Sequence, residues 1–463
     1  MARSRLLAVF AFVAALFVAV APAAQAARAS KAAPAAQVAP TTDPAAAAAG
    51  WLAGQLTGGN HFQQDFGDAG VFPDQGLTLD AVLAFAAAGS AGDNATAAMT
   101  WLGTGTLLTE YAGDGTAASF SDAGRLAKVA YAALVTGGDP HDVGGVDVLG
   151  RLSSQLTASG RFSDLPAGSD FSNAFGQAFA LLALARTPGG VPASAVAFLA
   201  GSACPGGGFP LDYGTPECTP DADSTAMVVQ ALAVRGGDAA AAARGVDWLV
   251  SRQAEDGSFS GIGPTDSPNA NSTGLAAQAL RAAGRTDEAA KAVAWLRARQ
   301  LGCAAPAGQQ GAVAYDSTGF DAGNVVRATA QAVLGLSGVG LADLSLTDAA
   351  GAPSTLDCPG SPTPTPTASP TGGPTGGPTT SPTASPTRPT SRPTTPAPST
   401  VAPTATPTPT AAPVLPISAP PTQPAAGSLP NTGADVLPVV WTGAGLVLVG
   451  AVAVVAGRRR RTS

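Results

Sequence analysis

Apolar and small residues recur in one phrase about every 48 residues between Pro44 and Leu346. The phrase begins with a helical segment that carries a bulky apolar pair: Trp51-Leu52, Trp101-Leu102, Val148-Leu149, Phe198-Leu199, Trp248-Leu249 and Trp295-Leu296. A glycine-containing turn with an aromatic follows, at Phe72, Phe120, Phe162, Phe209, Phe259 and Tyr315. A second, alanine-rich segment comes next, such as Ala226–Leu232 or Gly274–Leu280, and usually closes on glycine. A fixed period of this length marks stacked helix pairs, none of which can bury its own faces alone. The second segments are apolar nearly all round, which suits helices enclosed on both sides. The first carry Arg, Lys and Asp on one face, as in Ala292–Gln300. The pattern predicts an all-α domain over 44–358, with the second helices inside and the first outside. Six pairs in about 300 residues favour closure into an (α/α)6 toroid over an open solenoid, because a closed ring needs no capping repeats.

Other patterns flank this domain. Residues 27–43 read as a linker. From 359 to 427 the chain is almost entirely Pro, Thr, Ser, Ala and Gly, a composition that cannot offset the entropy of ordering and predicts a disordered, stiff stalk. Ser/Thr-Pro pairs along it suggest O-glycosylation. Arg3 and Arg5, the apolar run Leu6–Val20 and the small residues Ala24-Gln25-Ala26 predict a signal peptide over 1–26. Residues 428–463 combine Leu429-Pro430-Asn431-Thr432-Gly433, an apolar run over 436–457 long enough to span ~30 Å of hydrocarbon, and four arginines, Arg458 to Arg461. In this order the parts resemble the LPxTG sorting signal of Gram-positive cell-wall proteins. The resemblance implies cleavage between Thr432 and Gly433 by a sortase, attachment to a peptidoglycan precursor, and contact with the membrane only before sorting. The expected location is the cell wall of an actinobacterial-like organism.

Charge and cysteine content narrow the domain's roles. The formal net charge of −7 masks an acidic body, since Ala27–Asp357 holds 30 acidic and 16 basic side chains. With no basic stripe, such a surface repels phosphate backbones and disfavours nucleic acid. In an exported chain Cys204, Cys218, Cys303 and Cys358 are expected to form two disulfides. Three connectivities are possible. The favoured one pairs Cys204 with Cys218 across a Gly/Pro-rich loop and Cys303 with Cys358. The absence of a CxxC pair and the sequence distance between His61 and His141 argue against a metal site, and no cofactor is implied.

Gln253–Phe259 followed by Asn271-Ser-Thr-Gly274, with Asp223-Ser-Thr-Ala226 some 48 residues earlier, resembles the repeat of protein prenyltransferase β-subunits and squalene/hopene cyclases. The resemblance implies a toroid with a central ligand cavity. Asp221-Ala222-Asp223-Ser224-Thr225 is similar to the DxDDT motif of class II terpene cyclases, whose central acid matches Asp223 and protonates an alkene or epoxide. Here Ser224 stands in the last Asp position. The zinc ligands of prenyltransferases and the Cys-Gly-x-Gln phrase of thioester domains find no match.

Read from the residues alone, Asp223 is also a good helix N-cap, and Asn173, Asp223, Asn271 and Asn324 align in one column. Gln230, Gln278 and Gln331 each follow one of these by seven residues, two turns along the same face. This face is expected either to line a pocket for a polar or anionic small ligand, beside the helix N-termini, or to bond neighbouring helices. Asp65, Asp74, Asp80, Asp221 and Asp223 could supply the opposed carboxylates of a glycan-cleaving site, although nothing in the sequence pairs them. Three functions stay open: a wall-anchored module that binds an extracellular ligand or protein, a scavenger of a vitamin-like small molecule, and a cyclase-like or glycan-active enzyme.

Overall fold

A computed structural model describes residues 39–115, 120–166 and 170–359. The expected signal peptide, nearly all of the stalk, and the sorting motif with its apolar span lie outside the described residues. Among those described, no helix is long and apolar enough to cross a membrane.

Thirteen α-helices dominate: α1 (Pro44–Gly54), α2 (Gln75–Ala88), α3 (Gly92–Leu102), α4 (Leu107–Ala112), α5 (Ala123–Val135), α6 (Val148–Ser154), α7 (Ala174–Leu184), α8 (Ala193–Gly201), α9 (Ala222–Leu232), α10 (Ala239–Arg252), α11 (Ala270–Ala282), α12 (Thr286–Arg297) and α13 (Val325–Ser337). Helices α2, α5, α7, α9, α11 and α13 pack side by side in that order, and α13 returns to pack on α2. They form a closed inner ring. Helix α1, α3 with α4, α6, α8, α10 and α12 form the outer layer, so the domain is an α/α toroid of six pairs.

Small side chains let the inner helices approach closely. A Cβ on Gly274 would lie 2.4 Å from the carbonyl oxygen of Gln331, and one on Gly335 would lie 2.7 Å from the oxygen of Gly274, so larger residues would force α11 and α13 apart.

One hydrogen bond registers most pairs. A threonine one turn into the inner helix accepts from the backbone N–H of a buried residue in the loop before it: Thr78 from Phe62 (3.0 Å), Thr225 from Phe209 (2.9 Å), Thr273 from Phe259 (3.0 Å) and Thr329 from Val313 (3.0 Å). In α7, Gln177 takes this part with Phe162 (3.0 Å). The buried aromatic column is therefore Phe62, Phe162, Phe209 and Phe259, and each ring contributes roughly 1.5–3 kcal/mol by burial. The sequence reading placed Phe72, Phe120 and Tyr315 in this column. Phe72 and Phe120 are instead 51% and 37% exposed, and Tyr315 sits two residues past Val313. Spacing alone did not distinguish a ring anchored to the threonine from one farther along the loop.

The ends of the domain are fastened together. Strand β1 (Ala39–Thr41) pairs in parallel with the last of the four strands, β4 (Ser354–Leu356), whereas β2 (Phe62–Asp65) and β3 (Val71–Asp74) form a hairpin ahead of α2. Disulfides join Cys204 to Cys218 and Cys303 to Cys358, the favoured pairing. Between α13 and β4 the chain crosses beneath the C-terminal ends of the inner helices. The Tyr131 hydroxyl donates to the Leu341 carbonyl, Leu346 N–H to Val135 O (2.9 Å) and Ala350 N–H to Gly89 O (2.9 Å). This segment floors the bore, leaving the mouth at the helix N-termini.

Candidate functional site at the toroid mouth

Five inner helices begin with a side-chain cap. Asp74, Asp122, Asp221 and Asn269 each accept at 2.8 Å from the N–H three residues on, and Asn173 does so at 3.2 Å. This corrects the sequence column. Asn173 caps α7, but the caps of α9 and α11 are Asp221 and Asn269, two residues before the expected Asp223 and Asn271. Asn324 precedes α13 and makes no side-chain cap bond. Neither Asp223 nor Asn271 caps its helix; both stand on the first turn, Asp223 beside the Ser272 hydroxyl of α11.

Counting from these caps groups equivalent positions of the inner helices into layers one turn apart, at i, i+4 and i+7. The layer at the mouth holds Gly76, Gly124, Phe175, Asp223, Asn271 and, by the Thr329 register, Arg327. The next holds Asp80, Lys128, Phe179, Met227, Leu275 and Gln331. The deepest polar members are Tyr131, Gln230 and Gln278. Contacts across the ring agree with this layering. Buried Lys128 pairs with Asp80 at 2.6 Å, donates to Gly76 O at 2.9 Å and lies 6.0 Å from the Phe179 ring, while Arg327 reaches Asp74 and Asp80 at 3.8 Å.

The glutamines divide between the ends. Gln230 and Gln278 are buried and bonded to each other (3.3 Å); Gln230 accepts from Leu341 N–H (2.9 Å) and Gln278 donates to Val339 O (2.8 Å). They hold the floor and do not face the mouth. Gln331 belongs to another layer, because Asn324 and Asn271 are not equivalent. On the open side, Asp223 Oδ1, Asn271 Oδ1, Asn324 Oδ1 and Gln331 Oε1 are buried acceptors without a hydrogen-bond partner in the protein.

Asp221 and Asp223 form an unequal pair. Burial raises the Asp221 pKa, offset by the N–H and hydroxyl of Ser224, which donate to one carboxylate oxygen at 2.8 and 2.7 Å. Burial pushes Asp223 up to about 7; the Asp221 charge adds to the rise and the Ser272 hydroxyl on α11 offsets part of it. Near neutral pH, Asp223 can therefore give up or take a proton at the mouth. Ser224, where the class II motif has an acid, supports Asp221 and leaves Asp223 without a carboxylate beyond Asp221 in the motif.

The other candidates are engaged elsewhere. Asp74 caps α2, Asp80 is bound to Lys128, and exposed Asp65 accepts from Gly67 N–H (2.8 Å). His61 stacks on Trp101 with ring centroids 4.5 Å apart, and desolvation lowers its pKa; His141 lies 2.8 Å from Asp147 on the surface. Two open grooves on the outer surface, one along α3 and one beside the Cys204–Cys218 loop, include no residue of the bore. Among the described residues no group of three His, Cys, Asp or Glu is placed to hold a metal ion.

No protein-family model and no curated protein matches the chain. Solved structures do share its outline. It is similar to the type II terpene cyclase MstE from Scytonema in complex with geranylgeranyl dihydroxybenzoate, at 16% identity and a TM-score of 0.47, covering 65% of this chain and 97% of that one. It is also similar to a protein from Actinoplanes (17%, TM-score 0.47, covering 64% and 99%). A third likeness is to an unsaturated glucuronyl hydrolase from Bacillus sp. GL1 (13%, TM-score 0.43, covering 64% and 95%).

Proposed function

We propose that the toroid is the ligand-binding part of an exported protein held on the cell wall, and that its mouth takes up a small molecule with an apolar body and hydrogen-bond-donating groups. The observation that carries this reading is the set of four buried, partnerless oxygens on Asp223, Asn271, Asn324 and Gln331, which belong to three consecutive inner helices. Buried acceptors are normally satisfied, so such a cluster suits a guest that supplies donors. Phe175 and Phe179 on α7, Met227 on α9 and Leu275 on α11 are the apolar residues in the same two layers. Display on the wall is supported by Leu429–Gly433 and the apolar and basic segments behind it. A scavenged, vitamin-like compound would fit this description.

Native mass spectrometry of the chain secreted into its own culture medium, by a strain whose copy lacks residues 428–463, tests the binding reading. We expect a retained small-molecule adduct that is lost in Asn271→Leu. An adduct unaffected by Asn271→Leu and Asp223→Asn together would place the ligand elsewhere. Sorting is tested by Thr432→Ala: continued covalent recovery with peptidoglycan would refute sortase attachment.

A second reading makes Asp223 a proton donor in a cyclase-like enzyme. Its favouring observation is the Asp223 pKa of about 7 at the mouth of a closed bore. Incubation with a polyprenyl phenol, followed by mass spectrometry of the extract, distinguishes the two. The enzyme reading requires a cyclised product that Asp223→Asn abolishes while substrate still binds; no product in either protein leaves the mouth as a binding site.

A further inference from the structure

We propose that the rim around the mouth is a docking surface for a cationic amphipathic peptide. Among the described residues, the large apolar side chains left exposed all lie on loops that run from an outer helix to an inner one. Phe66, Val71 and Phe72 are on the first loop and Phe120 on the second; Leu165 and Phe171 follow on the third, and Ile262 on the fifth, at 37–55% exposure. Each of these loops feeds the N-terminus of an inner helix, so topology delivers them to the same end of the toroid. They are also tied together. Ser121 and Leu165 exchange backbone hydrogen bonds at 3.0 Å, Ala174 N–H reaches Leu211 O at 2.9 Å, and the Phe66 and Phe72 rings lie 6.0 Å apart. Scattered exposed apolar residues need no explanation, but their confinement to one end does.

Charge selects the occupant. The six outer-to-inner loops (55–74, 113–122, 155–173, 202–221, 253–269 and 298–324) carry fifteen acidic side chains and two basic ones. Three of the acids, Asp74, Asp122 and Asp221, cap inner helices and offset their dipoles. The two basic residues are engaged locally, Arg161 with Asp170 at 3.3 Å and Arg299 over the Trp295 ring. With Arg125 on Asp122 (3.1 Å) and Arg327 near Asp74 (3.8 Å) also counted, acids still outnumber bases at the rim, and exposed apolar side chains stand within a few residues of carboxylates, as Phe66 does to Asp65 and Asp68, Phe171 to Asp170 and Ile262 to Asp266. An anionic lipid surface or a nucleic acid would be repelled. A purely apolar partner would strip water from the exposed carboxylates of the rim, such as Asp65 and Asp68. A peptide that alternates lysine or arginine with apolar side chains satisfies both kinds of group.

The test uses the full chain with its disulfides intact and a fluorescein-labelled twelve-residue peptide of leucine and lysine, followed by anisotropy. We expect saturable binding that weakens about tenfold or more between 50 and 500 mM salt. Replacing the exposed side chains in Val71→Ser/Phe72→Ser/Phe171→Ser should weaken it about tenfold. The same peptide with glutamate for lysine should not bind. Asn271→Leu, inside the bore, should bind the peptide like the parent, so failure of the rim and failure of the bore are separate outcomes. Equal binding of the glutamate peptide, indifference to the serine substitutions, loss of peptide binding in Asn271→Leu, or binding to phosphatidylglycerol vesicles without peptide binding would each overturn the proposal.

Discussion

The floor and the mouth of the bore use the same residue types to opposite ends. At the floor, Gln230 and Gln278 are joined to each other and to the backbone of the segment after α13, and Tyr131 and Arg186 donate to carbonyls of the same segment. At the mouth, the amide oxygens of Asn271, Asn324 and Gln331 and one oxygen of Asp223 have no partner. Burying a polar group is costly unless it is bonded, so the floor is arranged for stability and the mouth retains a cost that a guest could relieve. The difference lies in what covers each end. The segment after α13 covers one end, and the outer-to-inner loops ring the other.

The largest effect should come from releasing the segment after α13. Cys303→Ser with Cys358→Ser opens a bridge between residues 55 apart, for which loop-closure entropy predicts a loss of about 4 kcal/mol. Urea unfolding would measure it, and a loss below about 1 kcal/mol would mean that β1–β4 pairing and the floor contacts hold the end without the bridge. Next comes Gln278→Ala. It strands the Val339 carbonyl and leaves the Gln230 amide with only the Ala226 carbonyl as acceptor, with an expected cost of roughly 1–3 kcal/mol, and an unchanged midpoint would show that the floor glutamines are dispensable.

Much of the floor's scaffold was legible and its details were not. The helix pairs, their inner and outer assignment, the ring and the disulfide partners followed from period, composition and cysteine placement. The caps shifted by two residues because Asp-x-Asp and Asn-x-Asn each offer two good capping side chains, and only geometry selects Asp221 over Asp223 and Asn269 over Asn271. That shift decides the site, since it frees the second residue of each pair. The glutamines depart from one column for a related reason: the seven-residue spacing holds if Asn324 is equivalent to Asn271, yet Thr329 sets a different register. The floor segment has no helical period to announce it. Its residues are specified by what the inner helices leave unpaired, which is a tertiary property.

A smaller effect should appear with pH. Because the folded-state pKa of Asp223 is raised to about 7, the folded protein binds an extra proton between the ordinary carboxylate range and neutrality. Its contribution to stability is then fully present below about pH 4 and is lost as pH rises through about 7. Asp164, also pushed up to about 7 by burial and by Asp122, adds a fall in the same direction. Asp223→Asn should therefore flatten part of the decline between pH 4.5 and 7.5 and leave the Asp164 part. A slope identical to the parent's would mean that Asp223 titrates normally and that the mouth is wetter than its burial implies.

The smallest expected effect breaks or keeps the contrast most directly. Asn271→Leu removes an acceptor that bonds to nothing in the protein and replaces it with an apolar side chain of similar size. No bond is lost and one desolvated oxygen disappears, so stability should stay within about 0.5 kcal/mol of the parent or rise slightly. The same kind of change at Gln278 should be costly, although both positions lie on one face of α11, seven residues apart. If Asn271→Leu instead costs more than about 1 kcal/mol, its amide is already satisfied in solution, the two ends of the bore are alike, and the partnerless oxygens no longer argue for a guest. If it is neutral and abolishes the retained adduct, the polar groups at the mouth serve binding and those at the floor serve folding.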